Sequence, residues 1–210
     1  MNIYETCPIL ESEKFLLRFV KKDDCDDLLK VYSDKYALPF FNSDNCDGDN
    51  FYYATKERMN EALDFWNLSY ENGWFARLSI VDKAVSNVIG TIELCLRISD
   101  DKFNHMGILR IDVRSDYEKE DILYDIAALI TPHLSEMLGC SGIITKVPIY
   151  AVERIKAIQK AGFTKSENFL IGKTGYAYDG YWIKVSAADS LAHLQCKTVC
   201  SDALLPYQNF

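Results

Sequence analysis

The sequence lacks several features that would place the protein at a membrane or on nucleic acid. No apolar run approaches the roughly 20 residues that a membrane span needs. The first residues show neither the basic start nor the apolar stretch of a secretory signal, so we expect a cytoplasmic protein without membrane contact. Lys and Arg number 23 against 31 Asp and Glu. The net charge of −8 argues against nucleic acid, whose phosphates bind clustered basic side chains, and is compatible with a cationic ligand such as an amine.

The cysteines lack the spacing of a disulfide framework or a metal site. Their number is odd, seven in all, and most are scattered singly along the chain. Cys196 and Cys200 lie four residues apart with His193 nearby, but no further ligands and no Cys-x-x-Cys spacing accompany them. We therefore expect free thiols and no bound metal.

The composition that is present is that of a packed domain. Hydrophobic residues make up 49% of the 210 residues and aromatic residues 13%, which is enough for one sizeable core and argues against disorder. The aromatic group of Tyr176, Tyr178, Tyr181 and Trp182 near the carboxyl end is consistent with core packing or with the wall of a ligand pocket.

Hydrophobic periodicity predicts alternating strands and helices. Strands are predicted at 14–20, 74–81, 88–96, 107–113, 142–147, 167–172 and 178–185, and helices at 24–33, 55–70, 118–138 and 150–161. Pro132 should kink or end the third helix because it removes a backbone hydrogen bond. The pattern predicts one mixed α/β domain over residues 1–185 and a C-terminal tail, 186–210, with a helical pattern.

Three short motifs resemble a known family. They are Leu17-Arg18-Phe19 before an Asp-rich turn, Ile89-Gly90-Thr91-Ile92 within a predicted strand, and Gln159-Lys160-Ala161-Gly162-Phe163 at the end of the last helix. With the order of elements, they make the chain similar to the GNAT superfamily of N-acetyltransferases, especially its branch that acetylates ribosomal-protein N-termini, antibiotics or polyamines. The resemblance implies an α/β (α+β) fold whose twisted, mostly antiparallel sheet is flanked by helices and splayed at one parallel strand pair, 107–113 and 142–147.

The resemblance also implies acetyl-CoA as co-substrate, lying between the two parallel strands. The backbone of Ile111, Asp112 and Val113 would pair with the pantetheine arm as an added strand does. The pyrophosphate would lie on the N–H groups that begin the next helix, where the helix dipole favours anions. The residues at that position are Lys119, Glu120, Asp121, Ile122 and Leu123.

The predicted pyrophosphate loop departs from the family pattern. Family members have Arg or Gln, two residues, Gly, one residue, and then Gly or Ala. Here Glu118 replaces the Arg or Gln, while Asp121 and Leu123 replace the small residues. Acidic residues repel a pyrophosphate but suit an ordinary helix start. Ala151 stands where members often have a cofactor-binding Asn, so the sequence indicates reduced or altered cofactor use.

Glu93 and Tyr150 are the candidate catalytic residues. Glu93 lies in an apolar strand, where burial would raise its pKa towards that of a general base; its face of the strand, shared with Cys95, could equally be solvent-exposed. Tyr150 precedes the Asn position and either protonates a departing thiolate or packs at the helix start. Asp112 is a further carboxylate that either has a role in the site or faces water.

Together these observations predict an acetyl-CoA-dependent N-acetyltransferase. It would act by direct attack of a primary amine, on a small molecule or a protein N-terminus. The alternative is a catalytically inactive protein of the same fold that binds a ligand or partner through the same cleft. A homodimer is compatible with the sequence.

Overall fold

The computed structural model describes residues 2–185. The helices are α1 Cys25–Tyr32, α2 Lys56–Glu71, α3 Glu120–Leu138 and α4 Val152–Lys160. The strands are β1 Leu10–Glu11, β2 Phe15–Phe19, β3 Ala76–Asp82, β4 Asn87–Arg97, β5 Met106–Val113, β6 Gly142–Lys146, β7 Thr164–Lys165, β8 Leu170–Ile171, β9 Ala177–Tyr178 and β10 Tyr181–Val185. The predicted tail, 186–210, lies outside the described residues.

Eight of these strands form one sheet in the order β1-β2-β3-β4-β5-β6-β10-β7. All neighbours pair antiparallel except β5 and β6, which are parallel. The parallel pairing covers only three residue pairs and ends at Ile108 and Ile144, although β5 continues to Val113 and β6 to Lys146. The predicted mixed sheet, splayed at one parallel pair, is confirmed.

The two faces of the sheet bury different kinds of residue. Apolar side chains of β3, β4 and β5 point to the face covered by α3 and α4, where they form the largest core cluster with residues such as Ile126 and Leu134. The other face is covered by α1 and α2, whose apolar side chains, including Leu28, Tyr32 and Trp66, form a second cluster. That second face also carries the buried charged residues of the sheet.

Local signals account for the ends of two helices. Helix α2 begins after Thr55, whose hydroxyl accepts a hydrogen bond from the Arg58 amide at 3.3 Å. Helix α3 ends at Gly139, which has the left-handed φ of +62° that glycine adopts readily at a helix end. Helix α3 runs through Pro132 to Leu138, so Pro132 does not end the helix, while a kink at Pro132 stays a prediction. Pro132 is on the exposed side of the helix.

Candidate functional site

Polar residues form two parallel rows across the centre of the sheet. In the first row Arg77 of β3, Glu93 of β4 and Arg110 of β5 lie directly opposite one another. The second row, two residues along each strand, consists of Arg18, Ser79, Thr91 and Asp112. Since residues two apart in a strand share a face, both rows face α1 and α2. A charged band therefore crosses a face that is otherwise apolar.

Glu93 is held between two arginines. Its carboxylate pairs with the Arg77 guanidinium on one side and the Arg110 guanidinium on the other, and the residue is 4% exposed. Burial alone would raise the pKa of Glu93, but the Arg110 and Arg77 charges outweigh it and hold that pKa below its ordinary value. The expected rise of the Glu93 pKa is therefore wrong, and so is the alternative that this face is solvent-exposed.

Asp112 is buried beside the first row. Its Oδ2 accepts hydrogen bonds from the Tyr32 hydroxyl at 3.1 Å and from Arg77 Nη1 at 3.3 Å, whereas its Oδ1 has no partner. Burial raises the pKa of Asp112, and the Arg77 charge offsets only part of that rise. The alternative that Asp112 faces water is wrong.

The segment 38–53, between α1 and α2, contacts the same polar face. Its Asp44 carboxylate accepts from Lys146 Nζ at 2.6 and 2.7 Å and from the Tyr181 hydroxyl at 3.1 Å. The Asp44 carbonyl accepts from Arg110 Nη2 at 2.9 Å. Asp44 therefore ties this segment, which we call the cover segment, to β5, β6 and β10.

The gap between the splayed strands contains the side chain of Arg154, from α4. Arg154 Nη1 donates to the main-chain carbonyl of Ile111 on β5 at 2.7 Å. Its Nε and Nη2 donate to the two carboxylate oxygens of Glu118 at 2.6 and 2.7 Å. Arg154 is 4% exposed. An arginine thus uses the strand acceptor that a pantetheine amide was expected to use, and its other end makes a bidentate ion pair.

A carboxylate of the chain itself lies at the start of α3. Glu153 accepts from the backbone N–H of Glu120 at 3.2 Å. Of the other residues expected to contact a pyrophosphate, Lys119 and Asp121 are exposed, Ile122 is partly buried, and Leu123 packs in the core. The anion expected at this helix start is therefore a glutamate side chain.

Tyr150 lies in the connection between β6 and α4. Its hydroxyl donates to the carbonyl of Pro39 at 2.5 Å, and its ring contacts Phe40 at a centroid distance of 6.1 Å. Tyr150 is largely exposed and fastens the beginning of the cover segment to the start of α4. Its catalytic role stays a prediction.

The residues around the gap do not fit acetyl-CoA in this arrangement. The Ile111 carbonyl already has a donor in Arg154, and Glu118 and Glu153 place carboxylates where a pyrophosphate would lie. Like charges about 4 Å apart repel by about 4 kcal/mol at the effective dielectric of a protein surface. The site thus fits an internal ion pair better than the cofactor.

Sequence reasoning missed Arg77, Arg110 and Arg154. A signal for the first two was present, because each of three consecutive predicted strands carries at least one charged residue between apolar ones. Arg154 gave no such signal, since one arginine in the first turn of a helix is ordinary.

The remaining described residues add no metal site or membrane span. Within residues 2–185 no group of three or more His, Cys, Asp or Glu is placed to hold a metal ion. In the same part of the chain, no helix is both long and apolar enough to cross a bilayer.

Comparisons with known proteins define the fold. No family model matches the chain, and no curated protein matches its sequence. Among solved structures, a GNAT-family acetyltransferase from Bacillus anthracis aligns with a TM-score of 0.63 at 11% identity, covering 85% of this chain and 98% of that one. A ribosomal-protein-S5-alanine acetyltransferase from Vibrio fischeri gives 0.62 at 17% identity, covering 86% and 97%.

A third similar structure is the spermidine N-acetyltransferase of Vibrio cholerae, solved in complex with CoA and spermine. It aligns with a TM-score of 0.57 at 11% identity, over 83% of this chain and 97% of that chain. The chain therefore has the fold of the GNAT acetyltransferases. The branch that the sequence motifs resembled is represented among these structures by the ribosomal-protein-S5-alanine acetyltransferase and the spermidine N-acetyltransferase.

Proposed function

We propose that this GNAT-fold protein is a ligand-binding protein without acetyl-transfer activity, and that its site is the buried polar face beneath the cover segment. The observation that carries the proposal is Arg154, which joins the Ile111 carbonyl to Glu118 inside the gap between β5 and β6. For acetyl-CoA to enter that gap, Arg154 would have to leave both partners.

The energy of that displacement is large compared with cofactor affinity. Separating one partner of a buried ion pair from the other typically costs about 3–5 kcal/mol, because an uncompensated charge remains. Glu118 would be left in that state, with the pyrophosphate close by. A cofactor that binds at about 1 μM gains about 8 kcal/mol in total, so the cost would remove about half of that free energy.

The second candidate is an N-acetyltransferase, which would use acetyl-CoA to acetylate a primary amine of a small molecule or a protein N-terminus. The observation that favours it is the end of strand pairing at Ile108 and Ile144, which leaves β5 backbone beyond that point without a strand partner on the β6 side. Glu93 and Tyr150 stay its candidate catalytic residues, and a homodimer stays compatible with it. In this candidate Arg154 must first swing out of the gap.

A calorimetric titration with acetyl-CoA separates the two candidates. We expect no binding heat from the wild-type protein at cofactor concentrations up to about 1 mM, where a 1 μM site would be saturated. The double variant E118Q/R154S removes the ion pair without leaving a lone charge, and should bind acetyl-CoA more tightly than the wild type does.

The matched control is R114S/D116N, because Arg114 and Asp116 form an exposed ion pair just before α3 with Nε to Oδ1 at 2.6 Å. This control should behave as the wild type. Wild-type binding with a micromolar Kd, accompanied by acetylation of an amine such as spermidine, would overturn the proposed function and favour the second candidate.

A further inference from the structure

Buried polar atoms without hydrogen-bond partners concentrate on the polar face of the sheet. Within the described residues, the buried side-chain atoms in this condition are Arg77 Nε, Arg110 Nε, Asp112 Oδ1 and Asn42 Nδ2. The first three belong to the two rows. Asn42 is part of the cover segment; its amide lies beside the Tyr181 hydroxyl, yet Nδ2 makes no hydrogen bond of good geometry. Buried polar atoms nearly always have hydrogen-bond partners. A group of buried polar atoms without such partners, which we call orphan atoms, therefore suggests a ligand that supplies them.

The orphan atoms are mostly donors. Both arginine Nε atoms and the Asn42 Nδ2 carry hydrogens and cannot accept. The fourth orphan atom, Asp112 Oδ1, belongs to a buried carboxyl group whose pKa is raised by burial. A ligand that satisfies these atoms must therefore bring acceptors, and carboxylate oxygens are the strongest acceptors for guanidinium groups.

The charges of the first row also favour an anion. Arg77 and Arg110 carry two positive charges against the single negative charge of Glu93. Asp44 and Lys146 balance each other, as do Arg18 and Asp24. Counted by itself, the first row therefore has an excess of one positive charge, with the Asp112 carboxyl group beside it at 3.3 Å from Arg77 Nη1.

The two orphan arginine atoms are supplied by strands that flank β4. Neighbouring strands lie about 4.8 Å apart, so β3 and β5 are separated by about 10 Å. The Glu93 carboxylate already joins the two guanidinium groups through Arg77 Nη2 and Arg110 Nη1, and it leaves the Nε atom of each arginine without an acceptor. A ligand with a carboxylate at each end can supply one acceptor to each Nε.

The cover segment is the element that can admit such a ligand. It has no regular helix or strand beyond a single turn at Leu38–Phe40. Asn45, Asp47 and Phe51 have left-handed φ values of +58°, +53° and +62°, which costs free energy for residues with a Cβ. The Phe51 ring lies over the Arg77 guanidinium at 5.4 Å, and the Asp44 carbonyl accepts a hydrogen bond from Arg110 Nη2 at 2.9 Å. Moving this segment therefore removes one of the rings that cover Arg77 and frees one side of Arg110.

We propose that the row Arg77–Glu93–Arg110 binds a small dicarboxylate, which enters when the cover segment moves away and is then held by the unpartnered donors. The proposal rests on the proposed function, because it names the ligand of the same buried face. The bound ligand would lie under Asn42 and Phe51 and would span the arginines on either side of Glu93.

The test uses succinate as probe, with 1,4-diaminobutane as a control of the same length and opposite charge at equal ionic strength. At about ten times its Kd, a ligand of the folded state should raise the melting temperature by about 3–5 °C for a chain of this size. Succinate at about 10 mM should produce that rise for a site of about 1 mM Kd, and the diamine should not. The Trp66 ring, 4.3 Å from the Arg77 guanidinium, should report binding through tryptophan fluorescence.

Three variants assign the effect to the row. Arg110→Gln should abolish the succinate response, and Asn42→Ala, which removes a donor of the cover segment only, should weaken it about tenfold if that hydrogen bond contributes as charge-assisted bonds do. The control Arg97→Gln removes an arginine of β4 that is paired with Asp101 away from the row, and should leave the response intact.

The results with succinate test the dicarboxylate site, and the results with acetyl-CoA test the proposed function. No melting shift with succinate, or equal shifts with succinate and the diamine, would overturn the dicarboxylate site. A succinate shift that survives both Arg110→Gln and Asn42→Ala would overturn it as well. A melting shift with acetyl-CoA, measured in the same series, would instead overturn the proposed function and leave the succinate result to stand by its own variants.

Discussion

Buried charges in this protein lie next to opposite charges. Glu93 lies against two arginines, Arg154 against Glu118, and Arg97 against Asp101. Compared with well-packed apolar residues, such pairs add little stability, but the loss of one partner is expensive. At the scale of single residues, these ion pairs therefore determine which charged side chains can be buried at a given place. Arg154 can occupy the gap because Glu118 is placed to balance it.

Asp101 gives a pH-dependent prediction. Burial would raise its pKa, but the Arg97 guanidinium and the amides of Ile171 and Phe103 lower it to about 2. Because the pKa is lower in the folded state than in the unfolded chain, the stabilisation is complete above about pH 4 and disappears as the pH falls towards 2. At pH 7 the free energy of unfolding of Asp101→Asn should be lower than that of the wild type by about 1–2 kcal/mol. The effect is of this size because the Asp101 side chain is only 9% exposed and water screens its charge little.

Urea unfolding of wild type and variant between pH 7 and pH 3 measures this difference. Asp100→Asn, at the neighbouring exposed position, is the control and should change stability little. A stability difference for Asp101→Asn that stays constant down to pH 3 would contradict the assignment.

At the scale of elements, the close pairing of β4 and β5 depends on a glycine. A Cβ placed on Gly90 would lie 2.1 Å from the main-chain carbonyl oxygen of Asp112 and 2.9 Å from the Cα of Val113. The neighbours in conflict are backbone atoms, which cannot rotate away. The strand β4 therefore requires glycine at this position of the Ile89-Gly90-Thr91-Ile92 motif.

Two glycine substitutions should differ in consequence. Gly90→Ala should destabilise the protein by about 3 kcal/mol or more, because the β4–β5 pairing must shift. Gly139→Ala, at the end of α3, meets no atom within 4 Å and should cost only about 1 kcal/mol for its left-handed φ. Denaturant unfolding measures both. Equal effects of the two substitutions would contradict this account of the strand pairing.

The elements themselves were largely predictable from the sequence, whereas short strands and partners across the sheet were not. The long periodic segments gave α2, α3, β4 and β5 within a few residues, because their apolar faces are extensive. The two-residue strands β1 and β7 carry too little pattern to be recognised. The predicted strand 167–172 is only Leu170–Ile171 in the structure, because residues 167–169 pair with no strand and the Asn168 N–H donates to the Ser166 hydroxyl instead.

The electrostatics of the site show a second limit of prediction. Glu93 was identified from its apolar strand, but the sign of its pKa shift depends on Arg77 and Arg110, which are 16 and 17 residues away and meet it through the register of two strand pairs. Of the two predicted alternatives for Glu93, the buried one is confirmed, but the predicted rise of its pKa is wrong. The pKa of a buried carboxylate depends on the charged groups beside it as well as on its burial.

At the scale of the whole molecule, the GNAT fold brings the start of α3, the start of α4 and the open side of β5 to one place. In this chain those three elements supply Glu118 just before α3, Arg154, and the Ile111 carbonyl, which bind one another. The acidic replacements that the sequence showed at the pyrophosphate loop thus have a structural counterpart in the arginine of α4. The opposite face of the same sheet carries the buried polar rows, to which our proposed function assigns a different ligand.

The most direct test of this account is a crystal structure of the protein grown with millimolar CoA. We expect Arg154 Nη1 to remain bonded to the Ile111 carbonyl at 2.7 Å, with Glu118 paired to the same guanidinium and no CoA density between β5 and β6. CoA density in that gap, with the pantetheine bonded to Ile111 and Arg154 rotated away from Glu118, would contradict it.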